Sequence, residues 1–273
     1  MKAASCVVVR NEEHILLEWI AYQFVIGFDS VIVFDNRSTD STREIALASA
    51  RNGGDVRVFD WPFTYPRRQT DAYLTATREF AGEFDWMALI DVDEFVLPLE
   101  APTIKEWLAL ERFQGADAIA LHWAMFGSSG HETIPPGLVM ENYTKRAWDN
   151  HGPNRHTKAL VRPKSVKSMP NPHAVEMSGR TTDSMGADVV WGERHGLARQ
   201  VIGLESCRIN HYFTRSRADW ARRLERGQVT RRTWDDFTAY DRNEIQDDAI
   251  LRHLERTRET MAALGGKSAP AAS

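Results

Sequence analysis

Ala88–Pro98 reads ALIDVDEFVLP. The apolar run suits a buried strand, yet Asp91, Asp93 and Glu94 interrupt it within four residues. Carboxylates are costly to bury unpaired, so these acids must meet water, a basic partner or a cation. Side chains alternate along an extended chain, which sets Asp91 and Asp93 on one side of the strand end. What surrounds them decides what the chain does.

The segments before this stretch alternate between strand and helix. Residues 5–9 (SCVVV) are β-branched and apolar, a short buried strand. Asn11 is the expected N-cap of the helix that follows, with Gly27 closing it. SVIVFD (30–35) is a second strand, and Ser41 with Glu44 is the expected capping box of the next helix. DVRVFDW (55–61) is a third strand, followed by a helix over 67–82. WMALID (86–91) is the fourth, Thr103 and Glu106 open another helix, and ADAIALHWAMF (116–126) is a fifth strand. Strands and helices alternating in this way predict an α/β, Rossmann-like fold, a mostly parallel sheet flanked by helices. Right-handed crossovers favour the strand order 3-2-1-4, with a topological switch between strands 1 and 4. Ligands bind beyond the carboxyl ends at such a point, where Asp91 and Asp93 meet Arg10-Asn11 and Asp35.

From about Gly127 the pattern changes to loops rich in Gly, Pro, Asn and His, with TKALVRP (157–163) and VIGLESCRINHYF (201–213) as strands between them. SRADWARRLERG is a basic helix with Ser216 as N-cap, and 244–264 a final amphipathic helix. The 34 Lys and Arg against 38 Asp and Glu give no global field for a nucleic-acid partner. Cys6 and Cys207 are too few for a disulfide framework and fit a reducing compartment. No uncharged run reaches the ~18 residues a bilayer span needs. The apolar run of MKAASCVVVR breaks at Arg10, too early for a signal peptide.

Hard cations such as Mn²⁺ or Mg²⁺ are held by one or two carboxylates together with substrate phosphates and water, which gives D-x-D at a sheet rim a chemical purpose. A solvated turn or a salt bridge is the plain alternative for so short a motif. The ordered runs VVVRNEEHILLEWIAYQFVIGFDSVIVFDNRSTDST and ALIDVDEFV resemble a GT-A fold glycosyltransferase of the family 2 type. HWAMFGSSGH, TKALVRP, NPHAVE and INHYFTRS resemble the family 92-like subgroup, and the similarity spans about Ser5 to Arg232.

That resemblance implies metal-dependent, inverting transfer of a sugar from a UDP-sugar, with GDP-sugar the second choice, to a hydroxyl of a glycan or lipid-linked acceptor. It implies Asp91, Asp93 and His211 as metal ligands. Arg10, Asn11, Asp35, Arg67, Arg68, Gln69, Asp91 and Arg215 would bind the donor. For the base, Glu132 in SGHET ranks first, with His131 beside it and His173 in NPHAVE as the other candidates. Residues 1–127 would form the nucleotide-sugar half of a single GT-A domain, 128–264 the acceptor half, and 265–273 a disordered tail. A cytoplasmic location follows, with peripheral contact at the inner membrane face for a lipid-linked acceptor.

Other readings fit less well. A phosphatase-like DxDxT would need Thr where Phe95 stands, after the first strand rather than the fourth. NAD chemistry would want G-x-G-x-x-G after the first strand, and VVVRNEEH has none. A nucleotide- or glycan-binding module without turnover is the non-catalytic alternative. His151 and His156 suggest zinc but lack a third ligand at compatible spacing. Lys158 and Arg162 stay ambiguous, and Trp123, Trp148 and Trp191 are either core or sugar-stacking surfaces.

Overall fold

The computed structural model describes residues 1–226 and 232–266. In chain order the first half holds β1 (Ala3–Val9), α1 (Leu16–Val25), β2 (Ser30–Asp35), α2 (Thr42–Arg51), β3 (Val56–Asp60), α3 (Arg68–Glu79) and β4 (Trp86–Leu89). Then come β5 (Glu94–Pro98), α4 (Ile104–Leu108), β6 (Ala116–Met125), α5 (Val139–Asn142) and β7 (Lys145–Arg146). The second half continues with β8 (Thr157–Val161), β9 (Val166–Asn171), β10 (Ala174–Met177), β11 (Arg180–Asp183), β12 (Trp191–Arg194), β13 (Leu197–Ala198) and β14 (Cys207–His211). The last elements are α6 (Arg217–Arg226), α7 (Trp234–Tyr240), β15 (Ile245–Gln246) and α8 (Leu254–Gly265).

The central sheet has nine strands in the order β3-β2-β1-β4-β8-β6-β14-β5, with β11 added on β6. Its first four strands run parallel in the expected 3-2-1-4 order. Period-2 alternation explains why both faces are apolar: Val7, Val9, Val31, Val33 and Ala88 join the core under α1, while Cys6, Ile32, Phe34, Met87 and Leu89 join the one under α3.

Beyond β4 the arrangement departs from simple extension. β8 lies antiparallel between β4 and β6, so the expected fifth strand is not the neighbour of the fourth. The ALIDVDEFVLP stretch is two strands. β4 ends at Leu89, Val92 and Asp93 turn, and β5 begins at Glu94 on the far edge, pairing with β14. The turn is closed by Glu94 N–H on the Asp91 carbonyl (3.1 Å) and by Asp91 N–H on Glu94 Oε2 (2.8 Å).

Two end-cap expectations change. Asn11 does not cap α1. It sits in the left-handed region (φ 55°) and accepts the Thr39 N–H at 2.8 Å, and the helix starts at Leu16. Ser41 makes no side-chain cap; Asp40 takes the Thr42 N–H at 2.9 Å and Glu13 the Ser41 N–H at 3.0 Å. The Thr103–Glu106 box forms as expected, and Gly27 (φ 101°) follows α1 in the conformation glycine tolerates best. The final helix is shorter than 244–264, because Ile245–Gln246 pairs with β7 and Ala249–His253 forms a 3-10 turn. The tail expected from 265 lies, from 267 on, outside the described residues.

Glu18 ties the two halves. From α1 it accepts the Val139 and Met140 N–H groups (2.7 and 2.9 Å) at the start of α5. Burial pushes its carboxyl up to about 7, against the pull of those two bonds. The folded chain therefore favours the protonated form. That contribution to stability is complete below the ordinary value of 4.5 and is lost as pH rises through about 7. Thermal unfolding of the wild type should show a component falling between pH 4.5 and 7, worth about 3 kcal/mol at most. Glu18→Gln should lose that slope, and an unchanged slope would show the carboxyl titrating normally.

Candidate active site

Strand register assembles the acid cluster. Leu89 pairs with Ala159, so Lys158 extends one step past β4 and arrives beside Asp91. His211 pairs with Glu94 across β5 and β14, which brings its ring to Asp93. Trp123 pairs with Ile209 and closes the centre, donating its indole N–H to Glu94 Oε1 at 2.8 Å.

The turn at Val92–Asp93 sends the two aspartates apart, contrary to the one-sided placement expected of an extended D-x-D. Asp91 leans toward α3. Its Oδ1 accepts from Gln69 Nε2 and from Tyr73 OH (3.3 Å), and its Oδ2 is 3.0 Å from Lys158 Nζ. Asp93 leans toward α6, with Oδ2 2.9 Å from Arg223 and Oδ1 3.6 Å from His211 Nε2. Lys158 is fully buried and also lies 3.6 Å from Glu94.

Burial and charge pull these groups in opposite directions. Burial opposes ionisation of Asp91, but Lys158 holds its carboxyl below the usual range. Asp93 is likewise disfavoured by burial, yet Arg223 and then His211 keep it well below. Glu94 goes the other way: burial outweighs Lys158 and pushes it up to about 7. Burial would lower Lys158, but Asp91 and Glu94 raise it. The cluster thus holds an ionised Asp91, an ionised Asp93 and a charged lysine at neutral pH.

The expected three-ligand metal set is not formed. Among the described residues no group of three His, Cys, Asp or Glu side chains is placed to hold an ion. Asp91 is committed to Lys158. Asp93 Oδ1 and His211 Nε2 remain, at 3.6 Å too long for a hydrogen bond. Adjacent ligands of an octahedral cation stand about 3 Å apart, so a small shift would let this pair share one ion. Their chemistry, one carboxylate oxygen and one imidazole nitrogen, suits Mn²⁺ with phosphate and water completing the shell.

The donor-side expectations divide. Asp35 is buried at the end of β2. Its Oδ2 takes the Ser38 N–H at 3.3 Å, while Oδ1 has no hydrogen-bond partner among the described residues. Asn11 braces the Ser38–Thr39 loop, and Arg10 is exposed beside it. Gln69 orients Asp91. Arg68 holds Asn36 Oδ1 at 3.1 Å, whereas Arg67 is largely exposed and pairs with Asp71 at 3.7 Å.

Arg215 is buried in the left-handed region (φ 53°). One nitrogen meets His14 Nε2 at 2.7 Å, and its Nε and second terminal nitrogen have no partner among the described residues. A buried, under-satisfied guanidinium is costly, so its presence points to an anion.

The acceptor-side expectations fare differently. Glu132 is exposed at the start of α6, 3.9 Å from Arg217, and the structure gives it no contact with Asp91 or Asp93. His131 is a satisfied loop histidine, its Nε2 3.1 Å from the Asn142 carbonyl and its ring edge-on to Tyr143. His173 lies closer to the cluster. Its ring meets Trp123 edge-on at 5.0 Å, and Trp123 also touches His211 at 4.3 Å. His173 Nδ1 is 3.1 Å from the Thr157 carbonyl, so it carries the proton and Nε2 keeps its lone pair. His156 stacks flat on Trp123, which accounts for it without zinc.

Lys158, ambiguous in the sequence, proves to be part of the cluster, and Arg223 and Arg232 were not foreseen as site residues. Arg232 lies over Phe213 at 4.3 Å and feels the charge of Asp93. A signal for Arg223 was present: Ser216, Asp219, Trp220 and Arg223 share one face of α6, and all four are buried. Polar residues at that spacing read as a solvated face.

The model of Glycosyltransferase family 92 matches residues 2–251. The chain belongs to glycosyltransferase family 92. A family 92 protein of rice (Oryza sativa subsp. japonica) is 29% identical over 210 residues, covering 76% of this chain and 32% of that protein. One of Ricinus communis is 26% identical over 165 residues, covering 60% and 29%. This family 92 chain therefore spans about a third of the length of those relatives.

Among solved structures, S. aureus TarS 1-349 is 18% identical with a TM-score of 0.38, covering 60% of this chain and 47% of that one. The Pyrobaculum calidifontis mannosyltransferase PcManGT, in complex with GDP-Man and Mn²⁺, is 20% identical with a TM-score of 0.34, covering 44% and 35%. No helix among the described residues is long and apolar enough to cross a membrane.

In this family 92 chain, removing Lys158 strands two carboxylates. Lys158→Met should destabilise the fold by about 3 kcal/mol, the low end for breaking a buried pair because Asp91 keeps some solvent contact. Denaturant unfolding checks this against Arg217→Ala, expected within about 0.5 kcal/mol of wild type. Equal midpoints for the two variants would contradict it.

Proposed function

We propose that this chain transfers a sugar from a nucleotide-diphosphate sugar, UDP before GDP, to a hydroxyl of a glycan or lipid-linked acceptor. The observation that carries the reading is the convergence on one sheet rim of Asp93, His211 and a buried, under-satisfied Arg215. Family membership supports the same chemistry. Residues 1–127 are taken as the donor half and 128–264 as the acceptor half, with Asp35 and its free Oδ1 available to a base N–H. Peripheral contact with a membrane follows only for a lipid-linked acceptor.

In this reading Asp93 and His211 would hold Mn²⁺ or Mg²⁺, which when bound supplies positive charge against the departing diphosphate. Arg215 binds the diphosphate from the side of β1, where its idle nitrogens find acceptors. Preorganised cations lower the barrier because negative charge grows on the leaving group as the glycosidic bond breaks. Lys158 and Gln69 hold Asp91 in place at the end of β4.

An inverting transfer also needs a base for the acceptor hydroxyl. His173 is a better choice than Glu132 or His131. Burial and then Lys158 lower it to about 3, which keeps it neutral but weakens it as a base in the empty site. Its claim rests on position, with its ring against Trp123 beside His211 and an Nε2 lone pair left open by the Nδ1 bond to Thr157. The expected stereochemistry is inversion, by analogy with the family 2 type.

A screen of nucleotide sugars for turnover with Mn²⁺ and with chelator tests the reading. UDP- or GDP-sugar cleavage should need metal and vanish in Asp93→Asn. His173→Ala should lower kcat by about 10²–10³ with little change in KM, while Glu132→Ala should stay near wild type. Loss of turnover in Glu132→Ala alone would return the base to the Ser128–Glu132 loop. Turnover untouched by chelator and by Asp93→Asn would sink the metal-dependent transferase.

A further inference from the structure

Asp93 already has a partner before any ion arrives. Arg223 lies 2.9 Å from its Oδ2 and donates from its other terminal nitrogen to the Phe213 carbonyl at 2.6 Å. Arg223 is buried, and its Nε has no partner among the described residues. Two terminal nitrogens are thus employed and a third donor is idle, beside an Arg215 with two idle donors of its own. The charges facing Arg223 are Asp93, Glu12 and Asp219 against Arg215 and Arg232.

Three idle donors and one donor on a single carboxylate, four in one buried place, are a poor match for Asp93 alone. An anion with more oxygens than a carboxylate would satisfy them together, and a diphosphate has that number. A guanidinium and a divalent cation also repel. Asp93 cannot serve both at full strength, so the ion must compete with Arg223 for this carboxylate.

We infer that Arg223 gates the metal ligand: without donor it occupies Asp93, and an arriving nucleoside diphosphate draws its guanidinium away and frees the carboxylate for the ion. Donor and cation then bind cooperatively, the donor first, because each makes room for the other. Arg223 is a positioning residue in this scheme. The inference rests on the donor-site reading above and adds an order of binding to it.

Protein-bound Mn²⁺ is read by electron paramagnetic resonance as the loss of free Mn²⁺ while the full chain is titrated in, first alone and then with saturating UDP or GDP, each against the same nucleotide and Mn²⁺ without protein. Wild type should take up Mn²⁺ weakly alone and more tightly with nucleotide. Arg223→Met should bind Mn²⁺ roughly tenfold or more tighter than wild type without nucleotide, the effect of removing one competing charge pair, and its gain on adding nucleotide should be smaller than wild type's by about that factor. Asp93→Asn should lose Mn²⁺ in both conditions.

Equal Mn²⁺ uptake by wild type and Arg223→Met without nucleotide overturns the gate and leaves the donor site standing. Failure of every form to bind Mn²⁺ when nucleotide is bound overturns the donor-site reading and the gate with it. If near-UV circular dichroism shows Arg223→Met unfolded, Arg223→Lys carries the test. Its shorter, single-point cation should give a smaller gain of the same sign, and no gain overturns the gate.

Discussion

A lysine buried between two carboxylates is the interaction on which the rest of this structure depends. Lys158 reaches Asp91 and Glu94 from β8, and through them it joins the end of β4 to the start of β5. Without a cation there, Glu94 and Asp91 would face each other inside the sheet. With it, the chain can turn at Val92–Asp93, leave the middle of the sheet and resume on the far edge against β14. That turn presents Asp93 to His211 on one side and Arg223 on the other. The geometry of the proposed site is therefore a consequence of charge compensation one layer beneath it.

The site surrounds its half-buried Asp93 with buried arginines whose hydrogen-bonding capacity is not used up. Lys158 is ion-paired with Asp91 and Glu94, while Arg215 and Arg223 keep donors that have no hydrogen-bond partner among the described residues. Strained backbone accompanies them: Asn11, Arg37 and Arg215 all lie in the left-handed region, at φ 55°, 62° and 53°. Each costs of order 1 kcal/mol in an L-residue, and such costs concentrate where function fixes the backbone. Buried cations without full partners and strained loops on the same rim have a common explanation in a polyanionic ligand.

Much of this was legible in the sequence, for a physical reason. Alternating apolar strands and amphipathic helices encode the 3-2-1-4 half of the sheet, because side-chain period and crossover hand leave few other arrangements. The same period misled at EFVLP. It specifies that the segment is extended and buried, and it contains no information about which strand it will pair with. Asn11 and Ser41 have the right chemistry for helix caps, but tertiary contacts to Thr39 and from Glu13 took precedence. Lys158 in TKALVRP was ambiguous because burial of a lysine depends on acids that are distant in sequence. Arg223 was hidden by the opposite assumption, that a basic helix face meets water. Glu132 drew attention by its position after β6, and the loop turned it to solvent instead.

The most direct test of the central claim is a crystal structure of the chain grown with UDP and Mn²⁺, with the ion located by its anomalous signal. Mn²⁺ is expected between Asp93 Oδ1 and His211 Nε2, with the diphosphate lying against Arg215. The 420 Å³ cleft bordered by Asp149, Arg155, Arg199 and Glu205 lies outside the proposed donor site. Nucleotide and ion found together in that cleft, with Asp93 still on Arg223, would contradict it.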